Sequence, residues 1–306
     1  MQFAFNSNII YSVHSAESIE KVSREFFYKY GLTYKKELTT LATVVYPHLC
    51  FDSICLANGI HIFLWILDDR VDDPERSLES KDTLLQELIT WLNCDSLDVD
   101  GTIVLSTSST SSTSSTLPIS STSSISSTSS IPSTSSTSSC DLIYALSDLL
   151  SRMQDPLLQT YIKEQLISYM EGVREHLHLD KIPSVKEYVN IRRRDGACEV
   201  VWPLCFLDTN FPDAYLRSPQ GLKNRTLAND NVSYVNDILS YKKDVREGTN
   251  FNIVISYMHE NKVSLEAATE ILVQDCNRFY EELYDSHLMN WCRGSLHWHL
   301  MAKRYK

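Results

Sequence analysis

Two clusters of oxygen-bearing side chains, about 170 residues apart, hold most of the chemistry legible in this 306-residue chain. The first is Asp68-Asp69-Arg70-Val71-Asp72-Asp73, which follows the apolar run Ile60-His61-Ile62-Phe63-Leu64-Trp65-Ile66-Leu67. On a helix Asp68 and Asp72 are one turn apart and share a face. The second is Asn236-Asp237-Ile238-Leu239-Ser240-Tyr241-Lys242-Lys243-Asp244, in which Asn236, Ser240 and Asp244 fall at four-residue steps. That spacing aligns an amide oxygen, a hydroxyl and a carboxylate along one helix stripe, each about 6 Å beyond the last. All of these are hard oxygen donors, the kind Mg²⁺ takes when it keeps several waters and shares a phosphate-bearing substrate with the protein. Neither cluster contains the Cys or His ligands that zinc selects.

Each cluster has a plainer reading. A run of Asp at a helix end is ordinarily a solvated face, and an Asn/Ser/Asp stripe can be a polar surface with i, i+4 hydrogen bonds. The approach to the first cluster argues otherwise, because a helix that buries Phe63, Trp65 and Ile66 and then opens into acids resembles the mouth of an apolar cavity. Histidines 48, 61, 176 and 178 match no ligand or triad spacing, so they read as structural or surface residues.

The elements that must position these groups are helical. Helix-type patterns cover residues 19–30, 33–44, 52–69, 81–92, 141–154, 156–179, 184–194, 197–207, 227–245, 251–259 and 264–288, with a last segment through 296–305. Ser80-x-x-Thr83 is a weak helix start, and Ser184-x-x-Glu187 a better one because it can form a capping box. Strand-type alternation is scarce, so the chain is expected to be an all-α bundle, a fold that builds sites from inward-facing side chains. It reads as a single domain over 1–306. Residues 106–139 are nearly all Ser and Thr and cannot bury enough apolar surface to order, so they are expected to be a disordered surface insertion.

Bulk composition narrows the partners. Twenty-eight Lys and Arg against 39 Asp and Glu give a net charge of −11, which argues against nucleic acid or an anionic membrane. The apolar stretch around Phe63, about eight residues, is too short to span a bilayer, and residues 1–6 do not resemble a secretory signal. The eight cysteines form no CxxC pair and read as reduced, mostly buried thiols in a cytoplasmic protein.

Two further motifs join the acidic ones. Arg192-Arg193-Arg194-Asp195-Gly196 contains Arg-x-x-Asp-Gly, and Trp298-His299-Leu300-Met301-Ala302-Lys303-Arg304-Tyr305 ends in Arg-Tyr. With these the chain resembles the class I terpene synthases of the single-domain microbial type, from about Pro47 to Tyr305 apart from the Ser/Thr insert. Arg192 precedes Asn236 by 44 residues and Arg304 follows it by 68, separations that fit the family.

The resemblance implies a helical bundle around a central apolar cavity. It also implies a cluster of three ions, Mg²⁺ with Mn²⁺ able to substitute, held by Asp68 with Asp72 on one side and Asn236, Ser240 and Asp244 on the other. Four Asp in the first motif leave open whether Asp72 or Asp73 contributes. By the same likeness Arg192 and Arg304 grip diphosphate oxygens, Lys243 and the Tyr305 hydroxyl add donors, Asp195 orients Arg192, and Gly196 marks a backbone break at the cavity. Trp65 and Trp298 stand where the family places pocket aromatics, whereas Phe63 and Trp202 read as core, and Arg193 and Arg194 as surface charge. Asp244 departs from the family, where Glu is common, by one methylene. The implied reaction is ionisation and cyclisation of a prenyl diphosphate, with farnesyl diphosphate favoured and a sesquiterpene formed. A chain-elongating prenyl diphosphate synthase shares the fold but resembles its own kin in carrying a second DDxxD. A catalytically silent isoprenoid-binding bundle is the alternative outside enzymes. Monomer and homodimer are both open.

Overall fold

A computed structural model describes residues 2–5, 9–34, 36–94 and 139–302, and among them every regular element is a helix. The expectations for 106–138, Arg304 and Tyr305 lie outside the described residues. Serine caps set where many helices start. Ser15, Ser77, Ser184, Ser218 and Ser264 each accept a hydrogen bond from the backbone N–H three residues on, worth about 1 kcal/mol apiece. They open α1 (Ala16–Lys29), α4 (Leu78–Leu92), α7 (Val185–Asp195), α10 (Pro219–Glu247) and α12 (Leu265–Glu281). The capping box at Ser184 and Glu187 forms in both directions. The start expected at Ser80 lies three residues earlier, at Ser77.

The remaining helices are α2 (Glu37–Val45), α3 (Phe51–Asp72), α5 (Ser139–Ser151), α6 (Pro156–Leu177), α8 (Cys198–Val201), α9 (Asp213–Leu216), α11 (Ile253–Asn261) and α13 (Ser286–Met301), with a 3₁₀ turn at Trp202–Phe206 after α8. α5 takes the last serine of the expected insertion as its first residue. The pattern at 264–288 is continuous, yet the chain breaks it. α12 stops at Glu281, and Asp285 starts α13 by accepting from the N–H groups of His287 and Leu288. A local cap outweighs the periodicity there.

α3 is the hub. It packs against α1, α2 and α5, and its buried residues point in all directions, including Ile54, Ile60, Phe63 and Leu67. A helix apolar all round belongs at the centre of a bundle. α3 is in fact long and apolar enough to cross a membrane by length and composition, contrary to the eight-residue estimate, but most of its apolar window is buried among its neighbours. α10 packs on α12 and α13, α13 on α2, and α6 on α7. The α2–α13 contact is close because Gly294 lets the two backbones meet: a Cβ there would lie 2.6 Å from Val44 O. All eight cysteines are free thiols, but only Cys198, Cys205, Cys276 and Cys292 are buried, half rather than most.

Candidate active site

The local electrostatics of α3 and α10 are unfavourable by themselves. Asp68, Asp69 and Asp72 sit in the last turns of α3, and Asp244 in the last turn of α10. A helix C-terminus carries partial negative charge, so each acid there costs roughly 0.3–1 kcal/mol relative to a neutral residue. The bundle brings the two acidic ends towards one another. Crowding by protein raises the Asp72 carboxyl above its ordinary pKa, against the pull of His176, Lys243 and Lys81, while Asp195 pushes it the same way as burial. Asp72 therefore feels groups from α4, α6, α7 and α10. Asp73 follows the last residue of α3 and braces the turn beyond it, accepting from Glu75 N–H at 2.9 Å and pairing with Arg76 at 3.8 Å.

α7 delivers Arg192 to the junction. Its guanidinium donates from Nη1 to Asp195 Oδ1 at 3.1 Å, and from Nη2 to Asn236 Oδ1 at 3.1 Å and Asp237 Oδ1 at 3.2 Å. Burial lowers its proton affinity, but Asp237, Tyr188 and Asp195 more than reverse this and hold the cation firmly. Arg192 Nε is buried and has no hydrogen-bond partner among the described residues, a donor left over for an acceptor other than these carboxylates. Asp195 Oδ1 accepts from Arg192, and its other oxygen meets His176 Nδ1 at 3.0 Å. Burial opposes its ionisation, and the Arg192 and His176 contacts bring its carboxyl below the ordinary value.

Asp237, a motif residue given no role by the sequence, is the buried anchor. Burial raises its carboxyl, opposed first by Arg192, and three donors converge on it: Arg192, the Tyr188 hydroxyl and Ile253 N–H at 2.7 Å. That many donors is the pattern of a carboxylate. Asn252 ties the stripe together by donating to Asp244 Oδ2 at 2.8 Å and to Asp237 O at 2.9 Å. Ser240 Oγ donates to Asp244 Oδ2 at 2.6 Å, so the hydroxyl and carboxylate converge, with the shorter Asp side chain reaching its neighbour. Asn236 Nδ2 lies 2.9 Å from His299 Nε2. The all-oxygen donors of Asn236, Ser240 and Asp244, facing a second acidic helix end, fit a hard divalent cation. Lys243 pairs with Glu247 at 2.5 Å and acts on Asp72 from there.

Below this rim is a cavity of about 130 Å³ whose wall includes Trp65, Trp298, Trp291, Arg192, Gly196 and Asn236. Trp65 and Trp298 meet edge to face at 6.2 Å and 78°, and Trp298 Nε1 donates to Thr40 Oγ1 at 3.2 Å. Trp202 and Phe63 are buried outside the wall, as core. Gly196 is a conventional helix end with φ −70°, and the left-handed break belongs to Ala197 at φ 54°. The break is present, one residue later than expected. A larger, open concavity of about 860 Å³ lies beside the N-terminal half of α3, away from both metal motifs, with Cys50, Asp52, Arg152 and Asp208 in its wall.

Arg193 remains partly exposed, as a surface charge would be, but it is paired: Nε and Nη2 each meet the largely buried Asp230 at 2.7 Å. Arg194 does pair at the surface, with Glu175. Of the histidines read as structural or surface, the half-buried His176 contacts Asp195 and stacks on Phe251 at 4.0 Å, and the buried His61 lines the cavity together with His299. Tyr169 is buried beside Asp68, Asp72, Asp195 and Arg192, and its hydroxyl is held protonated by burial and those acids. No sequence signal marked it, because its neighbours come from two other helices, α3 and α7. His48 joins Cys205 and His287 in a cluster whose donor atoms lie within 4.8 Å of one another. Those softer donors stand at the opposite end of α3 from Asp68 and do not suit Mg²⁺.

Known proteins place this arrangement. Sesquiterpene synthase Agr1 from Cyclocybe aegerita is 28% identical over 146 residues, 40% of this chain and 42% of that protein. Alpha-muurolene synthase from Coprinopsis cinerea is 27% identical over 175 residues, 49% of this chain and 41% of that protein. The matches thus span less than half the length of these curated relatives. Linalool/nerolidol synthase from Streptomyces clavuligerus shares the fold, with a TM-score of 0.72 at 15% identity over 98% of this chain and 100% of that one. Germacradien-4-ol synthase from Streptomyces citricolor does so at 0.71 and 15%, covering 99% of each. Residues 60–282 match the family described as "Terpene synthase family 2, C-terminal metal binding", a stretch that includes Asp68, Arg192 and the Asn236 stripe, and the chain belongs to that family.

Proposed function

We propose that this chain ionises a prenyl diphosphate, with farnesyl diphosphate the favoured substrate, and cyclises the resulting cation to a sesquiterpene. The observation that carries this reading is the position of Arg192. A fully charged guanidinium with an unpartnered Nε lies in the wall of an aromatic-lined cavity, directly beside a stripe of hard oxygen donors. Asp68 and Asp72 from α3, with Asn236, Ser240 and Asp244 from α10, would hold Mg²⁺; Asp72 is preferred to Asp73 in this proposal because Asp73 Oδ1 already accepts from Glu75 N–H. When bound, the metal supplies positive charge that stabilises the departing diphosphate.

The chain's own residues do the rest. Arg192 binds diphosphate oxygens through a planar fork that lysine cannot copy. Asp195 and Asp237 fix that fork, and His176 and Tyr188 fix the two carboxylates in turn. Lys243, Arg304 and Tyr305 complete the donor set in this proposal. Trp65 and Trp298 turn aromatic surface to the cation and exclude water. The cavity of about 130 Å³ is close to the size that takes one benzene ring, so a longer chain enters by displacing side chains. The free thiols are consistent with a cytoplasmic setting.

The test is diphosphate release with geranyl, farnesyl and geranylgeranyl diphosphate, in Mg²⁺ and in excess EDTA, alongside analysis of volatile products. Release with farnesyl diphosphate and Mg²⁺, together with a cyclic C15 hydrocarbon, is expected. Binding of all three without release would make the chain a silent isoprenoid binder. Release that requires added isopentenyl diphosphate and yields longer diphosphates would make it an elongating synthase.

A further inference from the structure

Ionisation creates a cation that must end by losing a proton or capturing water, and an aromatic wall offers no basic lone pair. The polar groups of the cavity can be sorted by what their atoms already do. Arg192 is a cation. Cys198 carries a thiol pushed up to about 12 by burial, so it stays protonated. Ser233 Oγ donates to Asn229 Oδ1 at 3.1 Å. His299 uses both nitrogens, Nδ1 towards Ser295 O at 2.7 Å and Nε2 towards the Asn236 amide.

His61 differs. It lines the cavity and is only 3% exposed. Its Nε2 lies 2.8 Å from the Tyr46 hydroxyl, and that hydroxyl donates to Val201 O at 2.6 Å. Tyr46 has one proton, already directed at a carbonyl, so its oxygen must accept and His61 must be the Nε2–H tautomer. The lone pair is then on Nδ1, which takes part in no hydrogen bond among the described residues. His61 stands seven residues before Asp68 on α3, two turns or about 10 Å deeper than the metal motif. It faces carbons remote from the diphosphate end.

We propose that His61, held in this tautomer by Tyr46, is the base that ends the reaction. This rests on the cyclase reading above. The C–H bond beside the cationic carbon breaks, its electron pair becomes the new C=C bond and discharges the cation, and the proton passes to Nδ1. The resulting imidazolium keeps its Nε2–H bond to Tyr46 and lies parallel to the Trp291 ring at 6.1 Å and 13°, where the indole face favours positive charge. It returns the proton to water when the product leaves. Burial lowers the His61 pKa to about 3, so the ring is neutral before each turnover and gives its proton up readily afterwards.

The experiment compares wild type, His61→Phe and Tyr46→Phe with farnesyl diphosphate and Mg²⁺, measuring diphosphate release and the full product spectrum in the same reactions. For His61→Phe, the share of the wild-type hydrocarbon per diphosphate released should fall at least tenfold, with alcohols or isomeric alkenes in its place. A purely structural role would slow release without altering the spectrum, and that result overturns the assignment. If His61→Phe does not fold, Tyr46→Phe carries the test. Loss of the tautomer lock should cut the same share at least threefold, and an unchanged spectrum again overturns it. Wild-type protein that releases no diphosphate would refute the cyclase reading itself and this inference with it. Release by wild type with unaltered products in the variants would refute the base alone.

Discussion

Replacing Arg192 by lysine keeps the charge and removes the fork, and the structure allows the two consequences to be separated. The guanidinium reaches Asp195, Asn236 and Asp237 at 3.1–3.2 Å. One ammonium on a shorter plane-less head can keep about one of these contacts, and each charged hydrogen bond lost is worth about 1.5–3 kcal/mol. The stability cost is held down because both carboxylates retain partners: Asp195 keeps His176, and Asp237 keeps Tyr188 and Ile253 N–H. About 3 kcal/mol of folding stability should be lost, the low end for two such bonds, because neither carboxylate is left orphaned. Loss of a bidentate grip on the departing anion should cost about 3 kcal/mol of barrier, or roughly a hundredfold in kcat. Arg193→Lys is the matched control one residue away. It loses one of two bonds to Asp230, so it should lose about 1 kcal/mol of stability and less than twofold in kcat. Urea unfolding gives the folded fraction, and single-turnover diphosphate release gives the rate. Equal rate losses in the two variants, after scaling for folded protein, would remove Arg192 from the diphosphate site.

Asp68→Asn and Asn236→Ala should each lower diphosphate release by orders of magnitude with helical circular dichroism preserved, and excess EDTA should abolish release in wild type until Mg²⁺ is restored. Gly294→Ala should destabilise the fold by about 1–3 kcal/mol in urea, because the added Cβ meets Val44 backbone, which cannot rotate away. His61 should make stability depend on pH. Its folded pKa of about 3 lies below its unfolded value near 6.5, so the unfolded chain takes up the proton first and stability falls as pH drops from 6.5 towards 3. Between pH 7.5 and 5.5 wild type should lose about 1.4 kcal/mol that His61→Phe does not lose. Deleting 106–138, almost all Ser and Thr, and joining the ends with a short flexible linker should leave turnover nearly intact, since the entropy of closing a chain segment varies only slowly with its length.

What the sequence made legible is local in character. The capping box at Ser184, the apolar circumference of α3 and the four-residue steps of Asn236, Ser240 and Asp244 are all set by residues within a few turns of one another. What it hid depends on partners far along the chain. Arg193 reads as one more arginine in a basic run, and only folding brings Asp230, 37 residues away, beneath it. His61 sits in an apolar helix with no neighbouring motif, and its tautomer is fixed by a tyrosine on a different element that in turn bonds Val201, 155 residues beyond it. The His48, Cys205 and His287 cluster has no spacing signature because three separate segments supply its donors. The break before α13 was hidden for the opposite reason: apolar periodicity continues across it, and a single Asp285 side chain decides the outcome.

The clearest signal was a conflict rather than a match. Acids in the last turn of a helix oppose its dipole, and this chain does so at the ends of both α3 and α10 while placing its arginines, favourably, at the end of α7. A bundle selected for stability alone would reverse those acids. Folding adds to the conflict by crowding Asp72 with Asp195 and by burying Asp237 deeply enough to raise its carboxyl, while Arg192 and His176 relieve Asp195 alone. A cation of high charge bound between the two acidic ends would relieve it, and an anion bound beside Arg192 would bring that cation in. Divalent metal and diphosphate should therefore stabilise the fold together more than the sum of either alone. Thermal unfolding with Mg²⁺, with inorganic diphosphate and with both measures that coupling directly. Strictly additive shifts would mean that the two acidic helix ends and Arg192 do not form one site.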